Sequence, residues 1–386
     1  MKWLFLFLSG CFILGSCTLV KKSIFNPIYY HKKVSYEFYC SVPYELKNGA
    51  IILKLNINGA ICNFYFDSGS KSYIKSETRK KLDLQHHFYS TSRDANLVTN
   101  QSEIVLCNLE LGNVRLNNFK LHVTNSTIFD CTNSIDGILG NDILNQGVFY
   151  FDTENKKLII SSSIDKITGL DGFEKIRIKK HFGDILIKNY GIRFVLDSGY
   201  SNGFILTNTK SDFYEEGKEK KTFLSTINGL NSTQIYKSIY QNGNLNVVGN
   251  QYMGIIQFTD ELNLNLLGSK FFQMNSIVFD WKKNKLYIKK VPSDGINRIN
   301  NLINIHFTLL NGDVRISRLT NEMEGICLFD QVLQINNFDL QEFHSDCELQ
   351  EFLSTLNKDV GLDLIVKKEN ETTKIYLSKE ELFKTN

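Results

Sequence analysis

One four-residue pattern occurs twice. Asp67-Ser68-Gly69-Ser70 returns as Asp197-Ser198-Gly199-Tyr200. Each copy closes an apolar run that reads as a strand: Cys62-Asn63-Phe64-Tyr65-Phe66 before the first, Ile192-Arg193-Phe194-Val195-Leu196 before the second. A second block follows each copy at a matched distance. Ile138-Leu139-Gly140 ends 73 residues after Asp67, and Leu266-Leu267-Gly268 ends 71 residues after Asp197. Another acid, Asp152 or Asp280, stands 12 residues beyond each glycine. Between the blocks, Gly112-Asn113-Val114 is answered by Gly243-Asn244-Leu245. Ordered elements repeated at such spacing describe a duplicated unit. The two halves then build one site, with one carboxylate from each.

The pattern within each unit is that of β-structure. Asn58-Gly59 between two alternating runs, 51–57 and 60–66, predicts a hairpin with a two-residue turn. Asn189-Tyr190-Gly191 joins the counterpart runs 185–188 and 192–196. Only three prolines occur in 386 residues, so few strands are forbidden by a missing donor. We expect a mainly β chain, with a first closed β lobe over residues 46–161 and a second over 173–290. A linker near Pro292 leads to a small α+β unit over 297–378. Strands are expected there at 313–317, 332–337, 362–366 and 373–377. A helix is expected over 345–356, with Leu349, Phe352, Leu353 and Leu356 on one face.

The N-terminus reads as an export signal. Lys2 precedes a short apolar run that closes on Leu14-Gly15-Ser16-Cys17, a lipobox pattern. Residues 1–16 are expected to be a signal peptide, Cys17 the lipid acceptor, and 17–45 a lipidated tether with a first strand. The expected location is a bacterial cell envelope, on the outer membrane, with the facing side open. The formal net charge is only +3 and the basic residues are dispersed, which argues against a nucleic-acid partner. No pair of the eight cysteines has redox or zinc spacing, and their disulfide pairing is not readable.

A lone Asp-Ser-Gly is a common turn. Two copies in one duplicated strand context place two carboxyls at the rim of two equivalent cores. Carboxyls that share a site cannot both ionise cheaply, so one pKa rises and the pair holds one proton. The ionised member can then take a proton from an attacking water while the other donates to a carbonyl oxygen. The chain has no HExxH motif. Asp152 and Asp280, each before a polar turn, read as turn caps.

The residues FDSGS and VLDSGY, followed by ILG and LLG, resemble the aspartic protease family, in particular the retropepsin-like proteases of bacterial lipoproteins. The resemblance implies a pepsin-like bilobal unit made of two retropepsin-like lobes. It implies Asp67 and Asp197 as the catalytic pair, Ser68 and Ser198 as a hydroxyl lattice between lobes, and Gly69 and Gly199 as amide donors to the carboxylates. Gly140 and Gly268 would brace the two loops from behind. Ser70 and Tyr200 would complete them, with Tyr200 departing from the small residue usual there. The family implies an extended peptide or protein as substrate, no cofactor and no metal. Both lobes in one chain imply a monomer. A mobile cover is expected at 90–102 or 222–232. Residues 325–336 resemble a degenerate PDZ segment, which implies a PDZ-like C-terminal domain. The alternatives are a catalytically silent peptide-binding lipoprotein and a purely structural one.

Overall fold

The computed structural model describes residues 36–383, except 48, 94–98, 126–134, 182–183, 190–191, 201–202, 208–219, 229–232, 262–264, 292–304, 311, 321–324, 345, 357–359 and 369–370. The expected signal peptide, Cys17, most of the tether, the linker around Pro292 and the tips of both candidate covers lie outside the described residues. Among the described residues, no helix is long and apolar enough to cross a membrane.

The protein is mostly β-sheet, and the first repeat closes on itself. Asn58 and Gly59 take positive φ, 49° and 94°, and turn Ala50–Ile57 back antiparallel onto Ala60–Asp67. Ala60–Asp67 then runs parallel to Gly137–Gly140. Gly137–Gly140 pairs with Tyr73–Lys75, which pairs parallel with Val114–Thr124. Thr99–Leu111 joins Val114–Thr124 on one side and His86–Arg93 on the other, and it closes the ring at Ala50–Ile57. Alternation along these strands sends Leu53, Leu55, Ile57, Phe64 and Phe66 inward.

The second repeat makes the same pairings in the same order, except that among the described residues Thr233–Val247 does not pair back onto Asp184–Asn189. Ile192–Leu196 pairs with Asp184–Asn189 and runs parallel to Asn265–Leu267. Asn265–Leu267 pairs with Phe204–Leu206, which runs parallel to Asn250–Phe258. Thr233–Val247 then lies between Asn250–Phe258 and Lys220–Asn228. One sequence match fails here. Gly112 turns a hairpin, but Gly243 lies in mid-strand opposite Gly254. The residues that turn the second hairpin are Val248 and Gly249, both at positive φ. The strand leading into the second turn starts farther from its acid and is 15 residues long against 13, so the turn falls beyond Gly243.

A six-strand layer joins the repeats: Tyr39–Pro43, Lys157–Ser161, Val148–Asp152, Asn275–Asp280, Lys285–Lys290 and Glu174–His181, each paired with the next. At its centre Tyr150 pairs with Val278, and each lies ten residues after its own glycine. Equivalent residues therefore meet across a local twofold relation. Beneath the Asp-Ser-Gly loops, Phe66 packs on Phe151 with ring centroids 4.5 Å apart, and Phe151 meets Phe272 and Phe279 edge-on. Burial of one such ring is worth about 1.5–3 kcal/mol.

Residues 305–383 hold a separate apolar core built on Phe307, Ile316, Ile335, Leu349 and Leu364. Ile305–Leu310 and Asp313–Thr320 form a hairpin, Gln331–Ile335 pairs with Leu362–Lys368, and the helix Asp346–Thr355 packs beside Ile305–Leu310. The outer end of Asp313–Thr320 also pairs with Lys220–Asn228 of the second repeat.

Candidate active site

Each acid ends a strand and lies opposite the glycine of its parallel neighbour. Asp67 is in register with Gly140. In the second copy, Leu196 is in register with Leu267 and the Asp197 amide donates to the Leu267 carbonyl at 2.9 Å. Behind the first loop the space is closed. A Cβ at Gly140 would meet the Lys71 backbone at 2.6 Å, so only glycine fits. The Gly140 amide donates to Ser72 Oγ (2.9 Å), and Ser72 in turn donates to Asp142. Asn141 Nδ2 donates to the Ser68 carbonyl (2.9 Å).

The two loops are bonded to each other reciprocally. The Ser68 amide donates to Ser198 Oγ (2.9 Å), and the Ser198 amide donates to Ser68 Oγ (3.0 Å). Each hydroxyl passes its own hydrogen across: Ser68 Oγ to the Leu196 carbonyl (2.8 Å), Ser198 Oγ to the Phe66 carbonyl (3.0 Å). Both serines are buried. A buried hydroxyl in this position is held by two bonds that water would otherwise have to replace.

The reciprocal bonds bring the acids together. Gly69 and Gly199 donate their amides to Asp67 Oδ1 and Asp197 Oδ1, both at 2.9 Å. Each glycine also lies against the opposite acid: a Cβ at Gly69 would come within 2.6 Å of the Asp197 carboxyl, and one at Gly199 would overlap Asp67. The two half-buried carboxyls are close enough to bond to each other. Burial pushes Asp67 well above the usual carboxylate range, and the neighbouring Asp197 charge pushes it further. Burial raises Asp197 as well, while the bond from Asp67 and the Gly199 and Tyr200 amides favour its ionised form. The pair thus retains one shared proton above the pH at which a free carboxyl would lose it.

Three participants gave no readable signal as motif members. Tyr65 Oη donates to the Ser198 carbonyl at 2.9 Å, and burial followed by the charges of Asp67 and Asp197 raises its pKa well above the usual value. Its place two residues before Asp67 puts it on the same face of the strand, which is the one clue the sequence held. Asn141 and Asp142 follow Gly140 directly but have no counterparts after Gly268, where Ser269 and Lys270 stand. Tyr200 keeps the loop backbone of Ser70: its amide donates to the Asp197 carbonyl (3.1 Å), as that of Ser70 does to Asp67 (3.3 Å). Its hydroxyl donates to Gln257.

Asp152 and Asp280 are apart from this site. Asp152 accepts from the Asn155 amide (3.2 Å) and Asp280 from the Lys283 amide (3.1 Å), which makes them turn caps. The buried thiols of Cys62 and Cys107 are unpaired, and burial pushes them up to about 11 and about 12.

Comparison with known families bears on the first repeat. Residues 53–143 match the family model Asp_protease_2, described as aspartyl protease. An aspartyl-protease-like domain occupies that span. It includes Asp67, Ser68, Gly69 and Gly140. An uncharacterized protein of Dictyostelium discoideum is 23% identical over 194 residues, which make up 46% of this chain and 25% of that protein. The chain thus spans about a quarter of the length of this curated relative. Among solved structures, Basic 7S globulin from soybean is similar over 69% of this chain and 100% of its own, with 10% identity and a TM-score of 0.41.

Proposed function

We propose that the chain is an aspartic endopeptidase with Asp67 and Asp197 as its catalytic pair. The observation that carries this reading is the reciprocal bonding of Ser68 and Ser198, which holds two carboxyls close enough to bond to each other. The ionised carboxyl takes a proton from water. The water oxygen attacks a peptide carbonyl carbon, and the carbonyl oxygen receives the proton of the other carboxyl. Collapse of the resulting diol breaks the C–N bond, and the nitrogen leaves with a proton returned by the pair. Ser68 and Ser198 orient the loops, Gly69 and Gly199 supply amides, and Ser70 and Tyr200 close the turns. Gly140 and Gly268 brace the strands from behind.

The repeated order of pairings supports a bilobal reading, with lobes over 46–161 and 173–290. The separate core of the C-terminal unit supports a PDZ-like domain over 297–378. The hairpins formed by His86–Arg93 with Thr99–Leu111 and by Lys220–Asn228 with Thr233–Val247 are the proposed covers of the cleft. An extended peptide or protein is the proposed substrate. Lipid attachment at Cys17 would hold a monomer at the cell envelope.

Digestion of a peptide library by the protein starting after Cys17 tests the function. Cleavage at mildly acidic pH that vanishes in both Asp67→Asn and Asp197→Asn supports it. Cleavage that survives both changes overturns it. Peptide binding without cleavage by the parent protein would instead identify a silent binder.

A further inference from the structure

The bulky residue in the second loop has a structural use that its counterpart lacks. Tyr73 is in register with both Ile138 and His122. Ile205 is in register with both Leu266 and Gln257. Ile138 and Leu266 each lie two residues before the glycine, so Gln257 is the counterpart of His122. In the first repeat, Ser70 donates to the Lys71 carbonyl (2.9 Å), and His122 bonds to Ser102 at 2.7 Å while its Nε2 stays buried without a hydrogen bond. In the second, Tyr200 is long enough to reach Gln257 and bonds to its Oε1.

The line continues outward. Gln257 Nε2 donates to Tyr236 Oη at 2.8 Å, and Tyr236 is within bonding reach of Tyr240. Gln257, Tyr236, Tyr240 and Phe223 are all buried. Asp313–Thr320 of the C-terminal unit pairs with this hairpin, with Arg318 in register with Ser225. The Arg318 guanidinium lies over the rings of Phe223 (5.2 Å) and Tyr240 (5.8 Å), and its charge acts on Tyr236. Arg318 Nε is buried without a hydrogen bond, and Lys270, a like charge, lies near it. This cation lies over ring faces. The first hairpin differs: among the described residues, His86–Arg93 is the outer strand of its sheet.

We propose that Arg318, Tyr236, Gln257 and Tyr200 form a positioning strut through which the C-terminal unit holds the second hairpin and the loop bearing Asp197. The strut fixes one side of the site. None of the four is a catalytic residue. The role of the strut in turnover rests on the peptidase reading, but its role in holding the loop does not.

The test uses the full chain after Cys17 with Tyr200→Phe, Arg318→Met and Arg318→Lys, read in two ways. Amide hydrogen exchange at Gly199 and Tyr200, with carbon-13 titration of the Asp67 and Asp197 carboxyls, needs no activity. Peptide cleavage reads kcat and KM separately. The strut predicts exchange faster by about tenfold in Tyr200→Phe and Arg318→Met, the scale of one lost contact of this kind. It also predicts altered carboxyl titration, a fall in kcat larger than the change in KM, and partial recovery in Arg318→Lys. Melting temperatures that stay near the parent's separate this effect from general unfolding. Unchanged exchange and titration in both Tyr200→Phe and Arg318→Met overturn the strut, whatever the activity. An inactive parent whose loop exchange still responds to these changes keeps the strut and sinks the peptidase reading.

Discussion

On the proposed reading Asp67 and Asp197 share one proton, and pH should control both activity and stability. Replacing either by Asn removes the proton exchange and should lower kcat by about 10²–10⁴-fold, measured on a cleaved peptide. The stability effect has a definite sign. Burial raises both carboxyls in the fold, so above the ordinary value of about 4 the native state binds more protons than the unfolded chain. Stability from these groups is present at low pH and declines as pH rises through the raised values. Asp67→Asn, which stays neutral, should flatten that decline in urea unfolding measured from pH 4 to 7. Ser68→Ala leaves the Ser198 amide and the Leu196 carbonyl without their partner. It should cost about 1–3 kcal/mol in urea unfolding, and it should reduce cleavage less than the Asp changes, because the hydroxyl orients and does not react. Tyr65→Phe removes the bond to Ser198 but keeps the ring, so its effect should fall on kcat and spare the melting temperature.

At the scale of elements, the parallel pairing of an acid strand with a hydrophobic-hydrophobic-Gly strand is the unit that builds each half of the site. Gly140→Ala would drive a methyl into the backbone of residues 70–71. Loss of cleavage together with a lowered melting temperature is the expected outcome. The aromatic layer beneath is equally specific. Phe279→Ala should cost about 3–5 kcal/mol in chemical unfolding, since Phe151 and Phe272 lose a packed neighbour and a cavity remains. The turns show where pattern reading misleads. Gly112 and Val248 both have left-handed φ, 61° and 53°, at equivalent hairpins. A glycine is the readable signal for that conformation, and Val248 carries no such signal.

For the whole molecule, the six-strand layer that joins the repeats should be the slowest part to open. Its central strands, Val148–Asp152 and Asn275–Asp280, are buried along their length and paired on both sides. Their amides should exchange more slowly than those of the outer strand His86–Arg93, a comparison that native-state hydrogen exchange makes directly. The sequence by itself determined the duplication, the β character and the place of the two Asp-Ser-Gly loops at the ends of their strands, because these depend on local periodicity and on spacing along the chain. It also indicated the helix near 346–355 and most strands of the C-terminal unit. Only the tertiary structure decided that the serines bond crosswise, that Tyr65 reaches the opposite loop, and that Tyr200 points to Gln257. Those contacts join residues 57 to 133 positions apart. A hydrogen bond at that separation depends on where two strands are brought in space, and neither strand's own sequence encodes its partner.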